Sequence, residues 1–201
     1  MSGHSGAEPA ITGGKPKLVF SPHYVIDIGG HVFPTKKFQH AAELCAPWAD
    51  LVEPPLPTRE QLLLAHDEAW VEKVVACRMS LDDLTRMELP FDEKISRAHQ
   101  LSVGGTILAC RQALETGVGL HSGGGSHHAF AGHGEGFCVL NDLAAGILQM
   151  RQERRISRAA VIDLDVHQGN GTAKIFEGDP DIFTFSMHQG DIYPEIGRAH
   201  V

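Results

Sequence analysis

The sequence predicts an α/β fold, with a central parallel sheet flanked by helices, and three observations carry that prediction. The second half alternates short β-branched runs with helical segments: RAAVIDLDV (158–166), GTAKIFEG (171–178) and DIFTFSMH (181–188). Apolar strands joined through a helix belong to a parallel sheet covered by helices. With 201 residues, 42% hydrophobic and 21% charged, the chain also has the length and balance of one globular domain with a real core.

The elements follow in chain order. Residues 1–15, MSGHSGAEPAITGGK, are small, polar and glycine-rich, and are expected to form a disordered tail ahead of a domain over 16–194. KLVFS (17–21) is a first strand. TKKFQHAAELCA (35–46) has helical apolar spacing behind a Thr cap. TREQLLLAHDEAWVEKVVACRM (58–79) gives one or two helices, with Thr58 as cap and Gln61 at the capping-box position. DEKISRAHQLSVGGTILACRQALETG (92–117) is a long helix closed by Gly117, and its Gly104–Gly105 pair predicts close helix–sheet packing. VGLHS (118–122) is a strand and LNDLAAGILQMRQERR (140–155) a helix. In such folds function collects at the carboxyl ends of the strands.

Composition narrows the function classes. Lys and Arg total 17 against 25 Asp and Glu, a net charge of −8, so there is no basic footprint for direct nucleic-acid or anionic-membrane binding. No run of eighteen apolar residues and no signal-peptide pattern is present. Cys45, Cys77, Cys110 and Cys138 lie far apart without a CxxC pair, which predicts reduced thiols and a cytoplasmic setting rather than a disulfide frame or a Cys-type zinc site.

The unusual residues sit at predicted strand ends. In VIDLDVHQGNG (161–171), Asp163, Asp165 and His167 alternate, so on an extended segment they share one face, with Leu164 and Val166 turned into helices. Two carboxylates and an imidazole on a core strand are costly unless a cation compensates them, and Asp with neutral His suits a divalent metal, Zn²⁺ first. The alternative is a hydrogen-bonded polar strand end. GGGSHHAFAGHGEGFCVLND (123–142) brings His127 and His128 together on a glycine-supported loop, where a turn is needed for both to face one site. Paired imidazoles beside a metal suggest a general base and acid for metal-bound water. Spacing alone makes Phe137 a core residue, and Cys138 is not needed as a nucleophile. His121, His133 and His188 are expected to be structural.

Together, GGGSHHA, GEGFCVLND, DLDVHQGNG and FSMHQGDIYP resemble the zinc-dependent histone deacetylase family, from about Val19 to Pro194. The likeness is greatest to class IV-like and bacterial members, through HQGNG where others have HHGDG. It implies a three-layer arginase/deacetylase-like fold, of which this chain holds the N-terminal part. It also implies Zn²⁺ and hydrolysis of an N-acyl amide, typically acetyl-lysine in protein or a related small acetylated amine. By resemblance, Asp165 and His167 are two of three zinc ligands, and His127 and His128 handle protons. Asp163 orients His127, and Asn170 partners His128 where many members have Asp. Gly136, Phe137 and Tyr193 line a substrate tunnel suited to a lysine stem, and Ser186 and Met187 match contributors to an inner K⁺ site.

The family's third zinc ligand, an Asp, and its transition-state Tyr fall beyond residue 201, so this chain is expected to carry half a site and to be inactive by itself. The final EIGRAHV (195–201) is what a common sequencing-adapter sequence would encode, and is expected to be a non-native tail. Two rival readings stand beside this one. An arginase-like ureohydrolase would need bridging carboxylates that Gln168 and Asn170 do not supply, and a non-catalytic acyl-lysine-binding protein is the other.

Overall fold

The computed structural model describes residues 15–194, so the expectations for 1–14 and for 195–201 lie outside the described residues. Its strands are parallel, as predicted, but among the described residues they form two sheets. β1 (Lys17–Val19) pairs with β2 (Asp50–Val52) on one side and β3 (Leu120–His121) on the other. β4 (Ala159–Asp163) pairs with β5 (Ile182–Ser186), in register from Ala159↔Ile182 to Asp163↔Ser186. β3 ends after two residues, where the Gly123–Gly125 run turns the chain away from the ladder.

The helices follow local chemistry. α1 (Lys36–Cys45) starts after Thr35 as expected, but Thr35 is no side-chain cap: its backbone is already helical and its hydroxyl donates to the Ile26 carbonyl at 2.7 Å. Residues 58–79 divide into α2 (Arg59–Leu63), opened by a full Thr58/Gln61 capping box, and α3 (Glu68–Val75). α4 (Leu81–Met87) was not anticipated, nor was β2; Ser80 and Asp83 form its capping box, and Asp83 also pairs with Lys73 at 2.7 Å. α5 (Glu93–Thr116) begins at an Asp92 cap and ends at Gly117, with φ of 88°. The glycine pair within α5 serves two neighbours. A Cβ on Gly105 would meet the His121 ring of β3, whereas one on Gly104 would lie 2.0 Å from the Pro55 carbonyl oxygen, in a loop and not the sheet.

α6 (Asp142–Gln152) packs along α5, and α7 (Asn170–Ile175) packs against α6. The core between them holds Leu62, Trp70, Val71, Val74, Met87, Val103, Leu140 and Met150, all essentially sealed from solvent. Trp70 satisfies its indole N–H on the Val139 carbonyl at 2.9 Å. On the β4–β5 sheet, Ala159 and Ile182 join this core beside Met150, Ile175 and Phe176. The opposite face departs from expectation. Leu164 and Val166, predicted to face helices, are 65% and 49% exposed, and Ile162, Phe183, Phe185 and Met187 are exposed with them, because no described element covers that side. No helix among the described residues is long and apolar enough to cross a membrane.

Candidate active site

The loops leaving β3 and β4 converge on one cavity of about 370 Å³. The GGGSHH loop closes on itself: His127 N donates to the Gly125 carbonyl (2.8 Å) and Ala129 N to Ser126 (3.3 Å), which is the turn needed to bring two adjacent imidazoles to one side. Gly125 takes a φ of 94°, open to glycine at little cost. At Gly124 a Cβ would sit 2.4 Å from an Asp142 oxygen, so the loop can lie on that carboxylate only without a side chain there. Asp142, buried at the head of α6, accepts the N–H groups of Gly125 (3.1 Å) and Ser126 (2.8 Å) and the Thr106 hydroxyl (2.5 Å).

His127 and His128 end up side by side, with ring centroids 4.1 Å apart and ring planes inclined at 45°, and both are nearly sealed from solvent. Each has its own polar partner. His127 Nδ1 contacts Asp163 Oδ2 at 2.6 Å, and His128 Nδ1 contacts Asn170 Oδ1 at 2.8 Å. Asp165 Oδ1 lies 3.8 Å from His127 Nε2 and 3.1 Å from His167 Nδ1. Beyond Asp163 the backbone leaves the ladder, because the amides of Asp165 and His167 bond to the Asp163 and Asp165 carboxylates (3.0 and 2.8 Å). The three residues therefore meet at a strand end built from local side-chain turns and not along a continuous strand.

Burial lowers the His128 pKa, helped by the neighbouring His127 and His167 and only partly opposed by Asn170 and Glu135. Burial works to raise Asp163, but the His127 N–H and the Asp165 amide outweigh it and hold the carboxyl below its usual range. Asp165 is likewise held low, against burial, by the His167 amide and the nearby imidazoles. Cys138 is pushed up to about 12 by burial, so its thiol stays protonated and inert.

Gly136, Phe137 and Tyr193 line the same cavity. A Cβ on Gly136 would come within 2.8 Å of the Tyr193 ring and 3.0 Å of His128, so only glycine lets the wall close there. Phe137 takes part in both the core and the wall: it packs at the core margin while its ring meets Phe33 (5.6 Å) and the edge of His31 (4.9 Å). Ser186 accepts the Gly169 amide (3.4 Å) and contacts His188 Nδ1 (3.0 Å), while Met187 N donates to the Asp163 carbonyl. His121 joins Tyr24 and Thr106, each at 2.9 Å, and His133 stacks on Phe130.

Several site residues escaped the sequence reading. Glu135 accepts from Asn170 Nδ2 (3.0 Å) and from the Tyr193 hydroxyl (2.7 Å). Asp142 anchors the double-histidine loop, and His66 Nε2 accepts the Asn141 amide at 2.9 Å just ahead of it. Phe33 and Lys37, whose ammonium lies 4.4 Å above the Phe33 ring, complete the wall. The one available hint was Glu135, an acidic residue wedged between the glycines of GEGFC.

Comparison with known proteins decides the family. The histone deacetylase domain profile matches residues 31–201. The chain belongs to the histone deacetylase domain family. An uncharacterized protein of Picosynechococcus is 40% identical over 177 residues, covering 85% of this chain and 59% of the relative. Acetoin utilization protein AcuC of Bacillus subtilis is 34% identical, covering 76% and 42%, and histone deacetylase 2 of Arabidopsis thaliana is 30% identical, covering 92% and 52%. The chain thus spans about half the length of these curated relatives. The crystal structure of the HDA15 HD domain shares the fold, with a TM-score of 0.73 at 23% identity over 90% of this chain and 58% of that one.

Proposed function

We propose that this chain supplies the acid–base half of a zinc-dependent deacetylase that hydrolyses N-acetyl-lysine or a related acetylated amine. The observation that carries the proposal is the pair of adjacent imidazoles, their rings 4.1 Å apart and each with a separate polar partner, beside Asp165 and His167 in one aromatic-walled cavity. Asp165 and His167 fit zinc in kind, an oxygen and a nitrogen donor within reach of each other, and fall one short in number. Among the described residues no group of three such donors exists, and the reading proposed here takes the third from outside them. When bound, zinc polarises an acyl carbonyl and acidifies water.

The chain's own residues supply the proton handling. His128, buried and facing a neutral amide, is kept as the uncharged imidazole and accepts the proton of the attacking water at Nε2. His127, with Asp163 against Nδ1, is placed to stabilise positive charge while the leaving amine is protonated. Gly136, Phe137 and Tyr193 exclude water from the methylene stem of a lysine-like substrate. The backbone around Ser186 and Met187 is proposed as a K⁺ contact that stiffens the β4–β5 strand ends. Four unpaired cysteines support a reducing, cytoplasmic setting. A ureohydrolase is disfavoured because the residues beside His167, Gln168 and Asn170, carry no bridging carboxylate.

A panel of acyl-lysine peptides and acetylated polyamines, assayed with a family-length polypeptide containing this sequence, tests the reading. Amide hydrolysis is expected, and His127→Ala should lower kcat by about 10²-fold or more. Near-native turnover in that variant would remove the acid–base assignment, and acyl-lysine binding without any hydrolysis would favour a non-catalytic binder.

A further inference from the structure

Glu135 lies outside every role assigned above, yet it is held more rigidly than a loop glutamate need be. Its backbone pairs both ways with Cys138 (2.9 and 2.8 Å), and the next two amides bond to the carbonyls of Arg86 and Met87. One carboxylate oxygen, Oε1, then receives two donors, Asn170 Nδ2 at 3.0 Å and the Tyr193 hydroxyl at 2.7 Å. Tyr193 in turn stands edge-on to His128, with centroids 5.1 Å apart.

An ionised carboxylate only accepts hydrogen bonds, whereas an amide offers a donor on one side and an acceptor on the other. With Nδ2 drawn to Glu135, Asn170 must turn Oδ1 the other way, where it meets the Gly171 amide (2.9 Å) and His128 Nδ1 (2.8 Å). Facing an acceptor, His128 Nδ1 must carry its hydrogen. The neutral ring then has its lone pair at Nε2.

We propose that Glu135 is a positioning residue that fixes the tautomer of His128 through Asn170. The negative charge absent from position 170 stands one hydrogen bond further back, on the turn that also carries Gly136 and Phe137. One carboxylate thereby ties the tunnel wall at Tyr193 to the imidazole proposed as base. The importance of this link rests on the deacetylase reading, but its test reads a ring nitrogen and not turnover, so either can fail without the other.

The test uses the 201-residue chain, ¹⁵N-labelled at histidine and metal-free, at mildly alkaline pH where imidazoles are neutral. Two-bond ¹H–¹⁵N spectra distinguish a protonated from a bare ring nitrogen. The wild-type chain should show His128 as the Nδ1–H tautomer. Glu135→Ala should give a mixture of tautomers, because only the Gly171 amide then orients Asn170. Adding Asn170→Asp to that variant should restore pure Nδ1–H, since a carboxylate accepts in either orientation. A pure Nδ1–H signal in Glu135→Ala alone would overturn the proposal, as would failure of the second substitution to restore it. Should Glu135→Ala not fold, thermal midpoints decide. Asn170→Asp alone sets two carboxylates side by side and should melt several degrees below wild type, with Glu135→Gln recovering most of the loss in the double variant. No loss, or no recovery, contradicts the pairing.

Discussion

Asp142 shows how much of a site can rest on a residue that carries no chemistry. Its carboxylate holds two loop amides and a threonine hydroxyl in a fully buried setting. Asp142→Ala would orphan those donors, at about 1–3 kcal/mol for each one left unsatisfied and less where the loop can relax to water. Denaturant unfolding should register at least about 2 kcal/mol, and the Gly125 and Ser126 amides should exchange faster with solvent; unchanged exchange would show that the loop holds itself. The histidines and carboxylates at the centre of the site stood out in the sequence because their types are conspicuous: paired histidines among glycines, and Asp163, Asp165 and His167 in alternation. Their supports were not. Glu135, Asp142 and His66 are ordinary residue types, and His66 reaches Asn141 across 75 positions, a relation that no local pattern encodes.

At the scale of elements, α5 and even the six-residue α7 were readable, whereas α4 and β2 were not. α5 is announced by Asp92 and closed by Gly117, and its boundaries match the expected 92–117 to within a residue. α4 carries its own Ser80/Asp83 box, but its seven residues hold too few apolar positions for a period to show, and β2 has only three residues. β4 stops at Asp163 instead of running to Val166, because aspartate side chains capture the next backbone amides before a ladder can. The Gly104 contact makes a further prediction. Gly104→Ala drives a methyl against the Pro55 carbonyl and should destabilise the chain by about 1–3 kcal/mol, whereas Gly190→Ala, with open space around it, should not. Equal unfolding midpoints for the two would contradict the packing of α5 against that loop.

For the whole molecule, pH and exposed surface bring out two further consequences. His66 is sealed in the core with Nε2 accepting the Asn141 amide, and burial lowers its pKa to about 4. The unfolded chain binds that proton near pH 6.5. Stability should therefore be unaffected by this group above 6.5 and fall by up to about 1.4 kcal/mol per pH unit between 6.5 and 4, as only the unfolded state takes up the proton. Urea unfolding at stepped pH checks this, and a flat profile across the window would contradict it. The open face of β4–β5, with Leu164, Phe183 and Phe185 exposed, should make the isolated chain associate at high concentration; Phe183→Lys should shift sedimentation toward the monomer, and no shift would place the association elsewhere. Parallel pairing, helix order and family were legible in the sequence, but the division into two sheets and this bare face were not, since both depend on which surfaces meet in space. The proposed function places an acid–base pair beside two of the three donors that catalytic zinc requires. Calorimetric titration of the purified chain with Zn²⁺ tests it most directly. Weak binding, lost on His167→Ala, is the predicted result, and tight one-to-one binding by this chain alone would contradict the account.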